Sequence, residues 1–397
     1  MADMSSPAQR TQHIFDRYRV VDVDTHVTEP PDVWTSRVSA KWGDRVPHVA
    51  RLGKKDWWMI GDKPVMPPGI TAMAGFDGFI PVFPDTYDQV LAASYDAEAR
   101  LRHMDREGIY AQVLYPNLGG FGSGKFLALE EPELMLDCVR AYNDWLREWC
   151  SADPKRLLPI MATPFWDLKA ALREIQRCAA LGHKGILFGS QPDLFGQPPL
   201  VDPHWDPLWA AAQDVGLPIS FHIGSGDNSS ILDGAGNMGL RTNLARTCTR
   251  LFMENSNCLA DLIFSGICHR FPSLRFVSVE SGASWVIFAV EAFDWQWRNN
   301  GVTTEHPEYD LLPSEYFKRQ IYACFWFEEL GVQRAIELFP DNLLFETDFP
   351  HPTSMSPGPK STASAPREYA ERALGGLPED AIRKVVQDNA MSLYGLE

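Results

Sequence analysis

Four side chains in this 397-residue sequence have both the type and the placement needed to hold a metal ion. Asp24 and His26 close the apolar run VVDVDTH, His222 closes PISFH, and Asp348 closes LLFETD. Residues i and i+2 of a strand share a side, so Asp24 and His26 are expected to face one way, with Val23 and Thr25 facing the other. Two imidazoles and two carboxylates suit one divalent first-row ion. Zn2+ is expected first, and the hard oxygen donors also admit Mn2+ or Fe2+. Taken singly, a histidine after a strand is as readily a hydrogen-bonded core residue, and an aspartate a helix cap. Their order separates them from that background: D-x-H on a first strand, His on a fifth, Asp on an eighth.

Side chains so far apart in sequence meet only if their strands converge. Short apolar runs with the composition of buried parallel strands recur at 20–26, 110–116, 157–164, 185–188, 218–222, 275–280, 321–326 and 343–348. Helical periodicity fills most of the gaps: 132–150 places Leu134, Cys138, Tyr142, Trp145 and Leu146 on one face, and 168–181, 206–215, 284–297 and 328–338 behave similarly. Strands alternating with helices build a parallel sheet, and eight of them predict an α/β fold, a closed (β/α)8 TIM-type barrel. The carboxyl ends of barrel strands meet at one face, where such barrels keep their active sites. The chain is expected to be a single domain, 1–397. A Trp/Pro/Gly-rich insertion at 28–100 follows the first strand and holds one hairpin strand at 56–60. A Gly/Asn/Ser-rich loop, 224–246, follows the fifth strand, and 354–366 forms a further loop at the same face. The last helix, 378–394, starts on Pro378 and stops at Gly395.

Composition removes several function classes. The formal net charge is −16 and no Lys/Arg cluster is long enough to meet nucleic acid or an anionic membrane. Seven scattered cysteines without a C-x-x-C pair read as reduced thiols. Residues 1–19 contain no apolar signal core, and no run reaches the roughly eighteen apolar residues of a membrane span. A cytoplasmic protein acting on a small molecule is the expectation.

Beyond DVDTHVTEP, the segments SYDAEARLRHMDREGI, AQVLYP, YNDWL, GHKGILFGSQP, PISFHIG, FPSLRFVSVESGASW, ETDFPHP and NAMSLYGL run nearly the length of the chain. In these the sequence resembles the amidohydrolase superfamily, within it the group containing aminocarboxymuconate-semialdehyde and γ-resorcylate decarboxylases. The resemblance implies metal ligation by Asp24, His26, His222 and Asp348, with Asp348 also moving protons, and it implies a homodimer. Binuclear members bridge two metals with a carboxylated lysine ending the fourth strand. Here Lys184 begins that strand, which favours a single metal. The decarboxylases place a histidine at the end of the sixth strand, whereas this sequence has Glu280, in VSVESG. Glu280 could act as a general base, orient His222, or serve structurally.

Asp348, Glu280 and His222 are accordingly the residues expected to carry catalysis. The resemblance favours non-oxidative decarboxylation of a small aromatic or unsaturated carboxylic acid, with Asp348 protonating carbon as CO2 leaves. Hydrolysis of an ester, lactone, amide or C–C bond by metal-activated water is the alternative, with Asp348 or Glu280 as base. A non-catalytic binding barrel predicts loss of a ligand, and none is lost. His351 could shape the mouth loop or touch substrate, and Glu29 could anchor a loop. Arg241 and Lys125 read as solvated charges. Trp34, Trp57, Trp58 and Trp285 read as packing residues, and Asn143-Asp144-Trp145 as structural.

Overall fold

The computed structural model describes residues 12–119, 124–226, 238–355 and 358–397. Its strands run in chain order β1 (Val20–His26), β2 (His48–Leu52), β3 (Lys55–Ile60), β4 (Lys63–Met66), β5 (Ile109–Tyr115), β6 (Leu157–Met161), β7 (Gly185–Phe188), β8 (Ile219–His222), β9 (Phe276–Val279), β10 (Ile321–Phe325) and β11 (Leu343–Phe345). Eight of them form one parallel sheet in the order β1-β5-β6-β7-β8-β9-β10-β11. Hydrogen bonds join its two ends: Asp348 N donates to Asp24 O at 2.9 Å and His26 N to Phe349 O at 2.6 Å, beside a parallel bridge between Thr25 and Phe349. The fold is the expected (β/α)8 barrel.

Inward-facing Val21, Ala111, Val113, Leu158, Ile160, Leu187, Val277, Val279, Cys324 and Leu344 fill the barrel, and Ala390, Met391 and Tyr394 of the last helix join them. Branched side chains alternating along each strand leave a packed interior rather than a pore. The other strand face packs on the helices, where all five residues expected on the Pro132–Trp149 helix are buried. Val23 departs from expectation: it lies in the interior cluster instead of facing away from the axis. The register with β5 shifts between Asp22 and Thr25, and such a bulge interrupts strict alternation, so Val23 and Asp24 both serve the interior.

Five barrel strands, β5, β6, β9, β10 and β11, stop one to three residues earlier than their sequences suggested. Glu280 and Asp348 lie just past the strand ends in left-handed conformations, with φ of 56° and 58°. The L side chain disfavours that region, and it takes the chain out of the ladder.

In the insertion, the hairpin strand at 56–60 is the centre of an antiparallel meander, β2-β3-β4. Its flanks, HVARL and KPVM, are half-buried or exposed and carry little apolar signal. The meander packs on the barrel through Trp58, whose ring meets Trp34 edge-on at 5.2 Å, while Trp34 Nε1 donates to Cys138 O.

The loop expected at 224–246 is only partly one. Residues 227–237 lie outside the described residues, and Leu240–Phe252 is a helix. That helix buries only polar Asn243 and Thr247, so no buried apolar face marks it. The C-terminal segment is helical from Glu379 to Tyr394, with a π stretch at Lys384–Asp388 and Gly395 in the left-handed position beyond it. All seven cysteines are free thiols. No helix among the described residues is long and apolar enough to cross a membrane.

Candidate metal centre

The carboxyl ends of β1, β8, β9 and β11 bring Asp24, His26, His222, Glu280 and Asp348 into one buried cluster. His26 Nε2 and His222 Nε2 lie 3.2 Å apart, and each is 3.4 Å from Asp24 Oδ1. Each ring turns its other nitrogen to a main-chain carbonyl: His26 Nδ1 to Pro116 O at 3.3 Å, His222 Nδ1 to Ile223 O at 2.8 Å. A carbonyl only accepts, so the proton sits on Nδ1 in both rings and the two Nε2 lone pairs point at the same space. That orientation is the one main-chain carbonyls give metal-ligating histidines. Both oxygens of Asp24 are buried without a hydrogen-bond partner among the described residues, a costly state for a carboxylate unless a cation takes them up. The donor set therefore fits a divalent metal.

Asp348 joins the cluster through His26, whose Nε2 is 3.3 Å from its Oδ1. Glu280 lies closer to the histidine pair than its sequence position alone required, with Oε2 3.6 Å from His222 Nε2. Potential ligand atoms of Asp24, His26, His222 and Glu280 fall within 4.8 Å of one another, and so do those of His26, Glu280, Asp348 and His351. Thr353 Oγ1 lies 2.9 Å from Asp348 Oδ2 and 3.4 Å from Glu280 Oε1, so an exposed hydroxyl sits over both carboxylates.

The electrostatics separate the two acids. Burial, followed by the charges of Asp348, Asp24 and Glu346, pushes the Glu280 carboxyl well above the usual range. Burial would raise Asp348 as well, but His351 and His26 beside it hold it below the ordinary value. Burial and His351 lower the His26 imidazole to about 4. For His222 burial acts the same way, yet the adjacent Asp24 carboxylate outweighs it and the imidazole is raised. One pocket thus raises one carboxyl and lowers its neighbour.

A second layer holds these groups in place. Asp22 accepts from Thr347 N (2.8 Å), Thr347 Oγ1 (2.7 Å) and Gln112 Nε2 (3.1 Å), tying β1 and β5 to the residue before Asp348. Fully buried Arg100 donates to Gln112 Oε1, Ala93 O and His26 O, and its guanidinium stacks on Phe349 at 4.5 Å. Glu346 accepts Glu280 N at 3.2 Å.

Sequence reasoning passed over Glu346, Thr353, Asn117, Gln112 and Arg100. Glu346 stands two before Asp348 and was legible by alternation. Asn117 follows an apolar strand end, the signal that marked His222. Nothing in the sequence distinguishes Thr353 from surface threonines. Glu29 anchors a loop as one of its readings had it, its Oε1 accepting Asn117 N and Leu118 N. Asn143 is structural, bonding both ways with the Ala162 main chain, while Arg241 and Lys125 are exposed. Lys184 precedes β7, at the end remote from the cluster, so no lysine bridges two metals there.

Comparison with known proteins follows the same pattern. A family model described as amidohydrolase matches residues 21–396. The γ-resorcylate decarboxylase of Rhizobium radiobacter is 31% identical over 273 residues, covering 64% of this chain and 76% of that protein. Among solved structures, an amidohydrolase of Mycobacterium avium subsp. paratuberculosis superposes with a TM-score of 0.74 at 25% identity, over 95% of this chain and 99% of that one. A dihydroxybenzoic acid decarboxylase of a Polaromonas species, solved with bound manganese and 2-nitroresorcinol, has a TM-score of 0.62 at 18% identity, over 96% and 97% of the two chains. At that identity the second likeness is one of fold.

Proposed function

The chain belongs to the amidohydrolase family, and on that premise we propose that it is a metal-dependent, non-oxidative decarboxylase of a small aromatic or unsaturated carboxylic acid. The observation that carries this reading is the convergence of the His26 and His222 Nε2 atoms on the unpartnered Asp24 carboxylate, with Asp348 and Glu280 alongside. Asp24, His26, His222 and Asp348 would hold the ion. A divalent cation there supplies Lewis acidity and a template for substrate oxygens. Manganese in the Polaromonas structure and the oxygen-rich donor set support Mn2+ beside Zn2+ as the resident ion.

The chain's own residues carry the proton. As the bond between the substrate carbon and its carboxylate breaks, the electron pair stays on carbon and CO2 departs. Asp348 takes up one proton from solvent at the open mouth before each turnover, delivers it to that carbon and ends as the carboxylate that its histidine neighbours favour. Thr353 Oγ1 orients Asp348 Oδ2 from the open side of the site. The buried walls keep bulk water away from the developing carbanion.

Glu280 supports a second reading, hydrolysis. Burial and the neighbouring negative charges raise its carboxyl, so as the carboxylate it is a stronger base than a surface glutamate for taking a proton from water. Elemental analysis of the purified chain, coupled to a carboxylic-acid panel followed by CO2 release and an ester and lactone panel followed by acid release, tests both. Metal bound near one ion per chain with CO2 release supports decarboxylation; acid release without CO2 replaces it with hydrolysis.

A further inference from the structure

His351 stands outside the quartet assigned to the metal, yet both of its ring nitrogens lie against polar partners beside Asp348. Its Nε2 is 2.7 Å from Asn117 Oδ1, and its Nδ1 is 2.8 Å from Asp348 Oδ1. Asn117 Nδ2 donates to Val27 O at 3.1 Å, which settles the amide's orientation and leaves Oδ1 to accept from His351 Nε2–H. Asn117 is itself fixed, because its main-chain N donates to Glu29 Oε1. Nδ1 is thereby the nitrogen turned toward Asp348, 2.8 Å from its Oδ1, a contact that holds with a proton between the two atoms. The His351 ring also stacks on His26, with centroids 3.7 Å apart and planes 14° from parallel.

The main chain aims the ring as firmly as the side chains do. His351 N donates to Asp348 O at 2.9 Å, folding the turn back on the aspartate. Met73 N and Ala74 N both donate to Pro350 O, so the insertion after β1 grips that turn. Ser354 Oγ donates to His351 O at 2.6 Å. These bonds over-determine one ring position.

We propose that His351, oriented by Asn117, is a positioning residue that fixes which oxygen of Asp348 meets the substrate. Oδ1 is buried 2.8 Å from His351 Nδ1 and 3.3 Å from His26 Nε2, while Oδ2 is the oxygen presented beneath Thr353 at the mouth. A carboxylate free to rotate would spend much of its time misaligned, and misplacement of about 1 Å is enough to cost a hundredfold in rate. The inference rests on Asp348 as the proton-carrying group of the proposed reaction, and it deepens that role.

The test uses the metal-loaded chain and four variants, His351→Ala, His351→Asn, Asn117→Ala and the Asn117→Ala/His351→Ala pair. Asparagine places its Nδ2 where His351 has Nδ1, so it restores the contact with Asp348. The expected result is a fall in kcat of about a hundredfold for His351→Ala, with KM and metal content within about twofold of the parent. His351→Asn should recover at least about tenfold of that loss. The double variant should be no worse than His351→Ala alone, because both residues act through one contact. A crystal structure of His351→Ala, which needs no substrate, should show the Asp348 carboxylate rotated. An unchanged Asp348 there, a kcat within about twofold of the parent, or additive losses in the pair would overturn the proposal. Should the parent turn over nothing in either panel, the proposed reaction fails, while the structural arm still decides the positioning role.

Discussion

The main-chain amide of Asp348 donates to the carbonyl of Asp24 at 2.9 Å, so a hydrogen bond that closes the barrel also sets the spacing of two candidate metal ligands. Ring closure and site assembly are one event here. Anything that loosens the seam between β1 and β11 should loosen the metal centre with it.

Asp348→Asn keeps an oxygen donor and the seam, and removes only the titrating group. Metal content should stay near the parental value while kcat falls by about a hundredfold or more, as expected for loss of a general acid–base group. Elemental analysis beside steady-state kinetics reads both. Turnover close to parental would reduce Asp348 to a ligand.

Glu280→Gln divides the two reactions. Under hydrolysis the residue is the base, and kcat should drop by orders of magnitude with metal retained. Under decarboxylation no water is deprotonated in the chemical step, so the change should act through metal affinity or KM, with a milder effect on kcat. A silent substitution would make Glu280 structural, held by burial and its main-chain bond to Glu346.

Arg100→Met removes the shared donor of His26 O, Ala93 O and Gln112 Oε1 from a fully buried position. Leaving those acceptors unpaired should lower stability by about 3–5 kcal/mol, read as a shift of the urea midpoint. Metal affinity should weaken in parallel, since His26 loses the guanidinium bond to its carbonyl. A shift under about 1 kcal/mol would mean that water or neighbouring donors replace the guanidinium.

Much of this arrangement was legible in the sequence, and the reasons are specific. His222 and Asp348 stood out because charge at the end of an apolar strand is costly to bury, so a function must hold it there. The helix faces were readable because Leu134, Cys138 and Tyr142 recur at helical spacing. Val23 misled because a bulge is a matter of pairing with β5 and leaves no mark in β1 alone. The strand ends at Glu280 and Asp348 misled because a left-handed residue of this kind is imposed by tertiary contacts, against local preference. His351 was visible as three residues after Asp348, but its partner Asn117 lies 234 positions away and only the fold joins them.

Glu29 gives a pH prediction with a definite sign. Burial raises its carboxyl from an ordinary 4.5 to about 7 in the folded chain. The folded state then holds the proton over a range where the unfolded state has released it. Its contribution to stability is full below about 4.5 and is lost as pH rises through about 7. Glu29→Gln cannot titrate, so the metal-free variant should gain on the parent between pH 4 and 8 by on the order of 3 kcal/mol. Urea midpoints of both chains across that range measure it. A difference that stays constant with pH would place Glu29 outside the titrating set.

Anomalous diffraction from crystals loaded with Mn2+ reads whether one divalent ion sits between β1, β8 and β11. A single strong peak is expected within ligand distance of His26 Nε2, His222 Nε2 and the Asp24 carboxylate, with Asp348 alongside, and it should disappear in His222→Ala crystals of unchanged fold. No peak, a peak elsewhere on the chain, or full occupancy surviving the loss of His222 would contradict that placement.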